Sequence, residues 1–304
     1  MSEPTLNFVN CPDAAGGHRM AYWQWGNPQG GHVIVCAHGL SRQGRDFDVL
    51  AQALVARGGA DVRVVCPDVV GRGKSDWLKD ATGYQVPYYA ADVLAMLAQL
   101  KPAALDWFGT SMGGLIGIVV CGQPDLPLPV PVRKLILNDV GPVLQWESLV
   151  RIGKFLGNMP RFASLDQAAQ AMWAISTGFG PHTPAQWLEL SRHMVKPLAA
   201  GNSDLPGGVE LHYDPAIAVP FRAITQESAA QGEAAVWALY DHIKAKTLLV
   251  RGELSDLLSP QTALAMTQRG PKARLVEFAG VGHAPTFIAA NQVDVAVKFL
   301  TEEN

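Results

Sequence analysis

The sequence predicts an α/β fold: a mostly parallel sheet of about eight strands, with helices on both faces and a helical cap inserted late in the chain. Three observations predict it. Six short β-rich runs are apolar almost throughout rather than alternating, as strands buried on both sheet faces are. The stretches between them place apolar residues at three- and four-residue spacing, the pattern of amphipathic helices. One interval, of about a hundred residues, is too long for an ordinary strand-to-strand connection.

In chain order, LNFVN and HRMAYWQWG form an antiparallel pair around a Gly-containing turn at Asp13–Gly17 and flank the parallel sheet at its start. The buried runs follow at Val33–Gly39, Val62–Asp68, Ala104–Gly109, Lys134–Gly141, Thr247–Gly252 and Ala273–Gly280. DFDVLAQALVARG and YYAADVLAMLAQL supply crossover helices, and right-handed crossovers join parallel strands. In the long interval ESLVRIGKFLG, LDQAAQAMWAIS and PAQWLELSRHMV read as helices separated by Pro and Gly. The expected division is a core of residues 1–142 and 213–304 and a cap of residues 143–212. AAVWALYDHI is the helix that returns to the sheet.

Composition narrows the function. The chain has 304 residues, enough for a deep core without disulfide or metal staples. Charged residues make up 17% against 48% hydrophobic, which points to extensive burial, with a lid or homo-oligomer contact as further places for apolar surface. With 24 Lys and Arg against 27 Asp and Glu, the net charge of −3 offers no footprint for nucleic acid. The start, MSEPTLNFVN, lacks a signal-peptide pattern, and no apolar run approaches the ~18 residues that cross a bilayer. Cys11, Cys36, Cys66 and Cys121 form no C-x-x-C pair and read as buried thiols. A cytoplasmic location is expected.

The sharpest local feature is Gly109-Thr110-Ser111-Met112-Gly113. A G-x-S-x-G match alone is weak, but here it joins a buried strand to a helix, the setting that holds a serine exposed at the carboxyl end of the sheet. A serine hydroxyl needs a base. His283, in GVGHAPTF after the last strand, has the right placement; His38 precedes the serine in an HG loop with another use. The base needs an acid to hold its tautomer. Asp256, in RGELSDLLSP, is the preferred acid, because one strand and one helix separate it from His283 on the same sheet edge. Asp139, ending LND, is the alternative, and Glu253 a third. The backbone N–H groups of Met112 and Leu40 are the candidate oxyanion donors.

Together these features resemble the α/β-hydrolase superfamily, and the resemblance extends to Asp68-Val-Val-Gly-Arg-Gly-Lys-Ser75, similar to its D-x-x-G-x-G-x-S loop. Within it, the chain is most similar to serine esterases, lactonases and hydroxyalkanoate-oligomer hydrolases with a helical cap. The resemblance implies cleavage of a carboxylic ester or lactone through an acyl-enzyme on Ser111, with a small-molecule substrate and no metal or organic cofactor. Hydrolysis of carbon–carbon bonds in ring-fission diketones is the alternative chemistry, because S-M-G-G is also found there, although HGLSRQG departs from that group's HG-x-G-P-G loop. A slow or non-catalytic ligand-binding protein on the same scaffold is the alternative from another class. Arg42 and Arg45 are expected to pair with Asp46 and Asp48 rather than with substrate, and the aromatics Trp146, Phe162, Trp173, Phe179 and Trp187 chiefly to build the cap's own core.

Overall fold

The computed structural model describes residues 3–199 and 205–302. The first half alternates strand and helix: β1 (Thr5–Cys11), β2 (His18–Gly26), β3 (His32–Ala37), α1 (Asp48–Gly58), β4 (Val62–Asp68), α2 (Val86–Leu100), β5 (Ala104–Thr110), α3 (Met112–Gly122) and β6 (Val132–Asn138). The long interval holds α4 (Trp146–Phe155), β7 (Arg161–Phe162), α5 (Leu165–Ile175), α6 (Pro184–Arg192), β8 (Val195–Pro197) and β9 (Val209–Leu211). α7 (Ala218–Arg222) and α8 (Gln226–His242) lead back to β10 (Lys246–Gly252), α9 (Pro260–Gln268), β11 (Arg274–Phe278) and α10 (Ala290–Thr301).

Eight strands form one sheet in the order β1-β2-β4-β3-β5-β6-β10-β11. β1, β2 and β4 pair antiparallel, and every pairing from β4 to β11 is parallel. The expected architecture is therefore present, and its reason is visible in β4, where all seven residues are buried. A strand covered on both faces has no polar side to alternate with. One face packs under α2, α3 and α8 around Trp107, Met96 and Leu135. The other packs under α1 and α10 around Phe47, Phe108 and Phe287. The four cysteines are free thiols, three of them buried.

The stretch 143–212 differs from expectation in one respect. Besides its helices it carries a second, three-stranded antiparallel sheet in the order β7-β9-β8. Strands of two or three residues are too short for any periodicity to show in sequence. This sheet, α5 and α6 enclose a separate small core of Phe162, Met172, Trp187, Leu190 and Met194. α6 starts where a capping box forms: the Thr183 side chain accepts from Gln186 N, and the Gln186 side chain accepts from Thr183 N. No helix among the described residues is long and apolar enough to cross a membrane.

The turn between β1 and β2 is fastened to α2 by one imidazole. His18 Nδ1 meets Asp13 Oδ2 at 2.9 Å, and its Nε2 meets Asp92 Oδ2 at 2.9 Å. Both ring nitrogens face carboxylates, so both must donate, which requires the imidazolium. The hydrogen bond to Asp92 is the main cause that raises the His18 pKa to about 11. A histidine whose folded pKa lies above its unfolded value of 6.5 stabilises the fold fully below pH 6.5, and that contribution fades as pH rises toward 11. His18→Gln is expected to lower the melting temperature by several degrees at pH 6 and by clearly less at pH 10, read by calorimetry in matched buffers. An equal drop at both values would contradict the charged assignment.

Candidate active site

β5 ends and α3 begins within one residue, and that residue is Ser111. Its φ of 52° lies in the left-handed region, which costs a non-glycine residue about 1–3 kcal/mol and persists only where the surroundings enforce it. Enforcement comes from both sides. A Cβ at Gly109 would overlap the Gly113 carbonyl, and one at Gly113 would overlap the Ala37 carbonyl, so the turn closes only with glycine at both places. Ser111 N donates to Asn138 O at 3.0 Å, and Trp107 Nε1 to Gly113 O at 3.1 Å.

His283 reaches this serine. Its Nε2 lies 3.0 Å from Ser111 Oγ. Behind it, Nδ1 lies 2.7 Å from a carboxylate oxygen of Asp139, not of Asp256. The preference for Asp256 is thereby corrected. Its side chain is 48% exposed and turned toward α4, where Arg151 Nη2 bonds its Oδ2 at 2.6 Å. Glu253 faces the turn after β11, accepting from Gly280 N at 2.9 Å.

The physical reason lies in the pairing of β6 with β10. Asp139 leaves β6 with φ 56°, while its N–H still donates to Val250 O of β10 at 2.8 Å. That kink points the carboxylate across the end of β10, where Oδ1 accepts from Gly252 N at 2.9 Å. Oδ2 accepts from Ser255 Oγ at 2.6 Å and from His283 Nδ1 at 2.7 Å. The carboxylate is fully buried and met by three donors, as a buried charge requires. With Nδ1–H donating to Asp139, Nε2 is left free to accept the serine proton.

The loop after β3 faces Ser111 from the other side; a Cβ built on Gly39 would lie 3.8 Å from Ser111 Cβ. His38 holds this loop rather than facing the serine. Its Nε2 accepts from Val69 N at 2.9 Å, so Nδ1 donates to Gly39 O at 2.7 Å. Desolvation by burial pushes its pKa down to about 3, so the ring is neutral. Leu40 and Met112, the expected oxyanion donors, both flank Ser111, and Met112 opens α3, where first-turn N–H groups lack helical partners.

Arg72, inside the loop similar to D-x-x-G-x-G-x-S, has a part that sequence reasoning missed. It is fully buried; Nε donates to Leu40 O at 2.9 Å and Nη1 to Val70 O at 2.7 Å. Nη2 lies 3.6 Å from Met112 Sδ, and the guanidinium stacks 5.0 Å from the Tyr89 ring. One side chain thus braces the residues on both sides of Ser111. Asp68 anchors the same loop, accepting from Gly44 N and Lys74 N, each at 2.8 Å.

Two cavities meet at the serine. One, of about 240 Å³, has His283, Arg42, Arg151 and Phe179 in its wall; the other, of about 700 Å³, is lined mainly by apolar residues such as Leu115, Val140, Leu149 and Phe221. Arg42 and Arg45 pair with Asp46 and Asp48. Of the five aromatics, Phe162, Trp173, Trp187 and Phe179 pack in or against the small core, and Phe179 also lines the smaller cavity. Among the described residues, Cys11, His18 and Asp92 alone group three potential metal ligands. His18 already donates from both nitrogens there, so the group is built as an ion pair.

Such a site on such a sheet defines a class, and comparison agrees: residues 34–296 match the model of the alpha/beta hydrolase family, to which the chain belongs. A 3-hydroxybutyrate-oligomer hydrolase of Cupriavidus necator is 49% identical over 300 residues, covering 99% of each chain. A 2-(acetamidomethylene)succinate hydrolase of Mesorhizobium japonicum is 25% identical over 83% of this chain and 82% of its own. Among solved structures, an alpha/beta hydrolase from Novosphingobium aromaticivorans superposes with a TM-score of 0.82 at 31% identity over 99% of both chains.

The two aspartates separate by substitution. Asp139→Asn is expected to lower kcat for an activated ester by a factor on the order of 10³–10⁴, because the amide no longer holds the productive tautomer. Asp256→Asn, which touches a surface ion pair, is expected to stay within about ten-fold of wild type. The reverse ranking, in steady-state assays with circular dichroism as the folding control, would assign the supporting carboxylate to Asp256 instead.

Proposed function

We propose that the protein is a serine hydrolase that cleaves ester bonds of short hydroxyalkanoate oligomers through an acyl-enzyme on Ser111. The observation that carries this reading is the unbroken line from Asp139 Oδ2 through His283 to Ser111 Oγ, 2.7 and 3.0 Å long, ending where two cavities meet. The hydroxyacid-oligomer substrate class rests on the Cupriavidus relative, which matches over nearly the full length of both chains.

In the first half-reaction Ser111 Oγ attacks the ester carbonyl carbon while His283 Nε2 takes the hydroxyl proton. The carbonyl oxygen becomes an oxyanion, held by the N–H groups of Leu40 and Met112. Collapse breaks the bond to the alcohol oxygen, which leaves with the proton from His283. In the second half, water enters, His283 Nε2 takes one of its protons, and the remaining hydroxide adds to the acyl carbon. Ser111 departs with that proton, and the products are one carboxylic acid and one alcohol. The imidazolium formed in each half lies against the Asp139 carboxylate, whose charge it offsets.

Residues 143–212 act in this reading as a cap. Phe155, Met172, Phe179 and Leu190 from this stretch line the smaller cavity. Gly282 N, beside the base, donates to Gly178 O at 2.7 Å, so the cap and the histidine loop are held together.

Intact-mass labelling with a fluorophosphonate, beside turnover of p-nitrophenyl acetate, butyrate and octanoate, tests the proposal. One adduct per chain at Ser111 is expected, with turnover lost in Ser111→Ala. kcat/KM is expected to rise roughly ten-fold from acetate to butyrate, because two more methylenes enter the apolar cavity at about 0.8 kcal/mol each. Folded protein that neither takes the label nor cleaves any ester would overturn the reading.

A further inference from the structure

The two cavities differ in charge, and an ester bond is itself asymmetric. Its alcohol half must leave with a proton from His283 Nε2, and His283 lines the smaller cavity, whereas Met112 lines the larger. The alcohol half therefore belongs in the smaller cavity and the acyl half in the larger. When the terminal ester bond of a hydroxyacid oligomer is cut, the alcohol half is the unit that carries the free carboxylate. A carboxylate leaving water needs a cation. The larger cavity has none; among the described residues its one charged liner is Glu233.

The smaller cavity has two guanidinium groups, and they are differently engaged. Arg42 is spent: its Nε and Nη2 bond the two oxygens of Asp46 at 2.6 and 2.7 Å, and Nη2 also donates to Leu190 O at 3.1 Å. Arg151, on α4, directs Nε at 2.9 Å and Nη2 at 2.6 Å onto a single oxygen of Asp256. The partners are 44% and 48% exposed, so the pair is weak and leaves room for a second carboxylate. Asp256 is itself set in place by Ser148 Oγ of α4, which donates to its backbone carbonyl at 2.6 Å.

We infer that Arg151 is a specificity residue that takes the free carboxylate of the terminal hydroxyacid unit in the smaller cavity, while the apolar cavity takes the remaining acyl chain. This rests on the ester-hydrolase reading above. Cleavage then releases the carboxyl-terminal unit, and Asp256 is the positioning residue that aims the guanidinium.

The test compares the 3-hydroxybutyrate trimer with its methyl ester, in wild type and Arg151→Met. The ratio of kcat/KM for free acid over methyl ester is expected to fall roughly ten-fold in the variant, carried by KM, as for one partly exposed charge-assisted hydrogen bond. A trimer labelled in its carboxyl-terminal unit is expected to release labelled monomer first. An unchanged ratio, or labelled dimer as first product, would overturn the assignment. Titration calorimetry with 3-hydroxybutyrate reads the same contact without turnover: wild type is expected to bind about ten-fold more tightly than Arg151→Met, and equal binding would overturn it. If wild type cleaves neither trimer nor methyl ester, the substrate reading fails, and the titration still decides the role of Arg151.

Discussion

One buried carboxylate holds the site together. Asp139 joins the ends of β6 and β10 through Gly252 N, orders the loop after β10 through Ser255, and receives His283 from the loop after β11. Its neighbour Asn138 adds a second tie: its Nδ2 donates to Thr110 Oγ1 beside the serine and to Pro285 O beside the histidine. A charge buried this deeply is tolerable only with all its partners in place. The carboxylate therefore fixes three loops at once, and the serine–histidine distance is a consequence of how β5, β6 and β10 are paired.

The second constraint is backbone crowding. Gly109 and Gly113 let the sheet and α3 approach until Ser111 is forced into the left-handed region, and Arg72 braces Leu40 and Met112 from beneath. Both devices make the site rigid, so groups around Ser111 need not reorganise as charge develops. About half of the residues that line the two cavities come from the stretch α4 to α8, outside the central sheet.

Much of this was legible in the sequence. The strands showed because burial on both faces removes alternation, and Ser111 and His283 showed because the glycine spacing and the loop after the last strand confine them. The acid did not. Asp139 and Asp256 both follow strands at the same sheet edge, and chain order cannot rank them. What separates them is three-dimensional: a left-handed kink at Asp139 beside the Gly252 N–H, against an Arg151 guanidinium that draws Asp256 outward. The small β7-β9-β8 sheet was hidden by its length. Arg72 was hidden because a basic residue in a Gly-rich loop reads as exposed until its carbonyl and ring partners are known.

The most direct test of the central claim is proton NMR of the His283 Nδ1–H, the hydrogen shared with Asp139. A strongly downfield imidazole resonance is expected in wild type and in Asp256→Asn, and its loss in Asp139→Asn. A resonance that survives in Asp139→Asn and vanishes in Asp256→Asn would contradict the account.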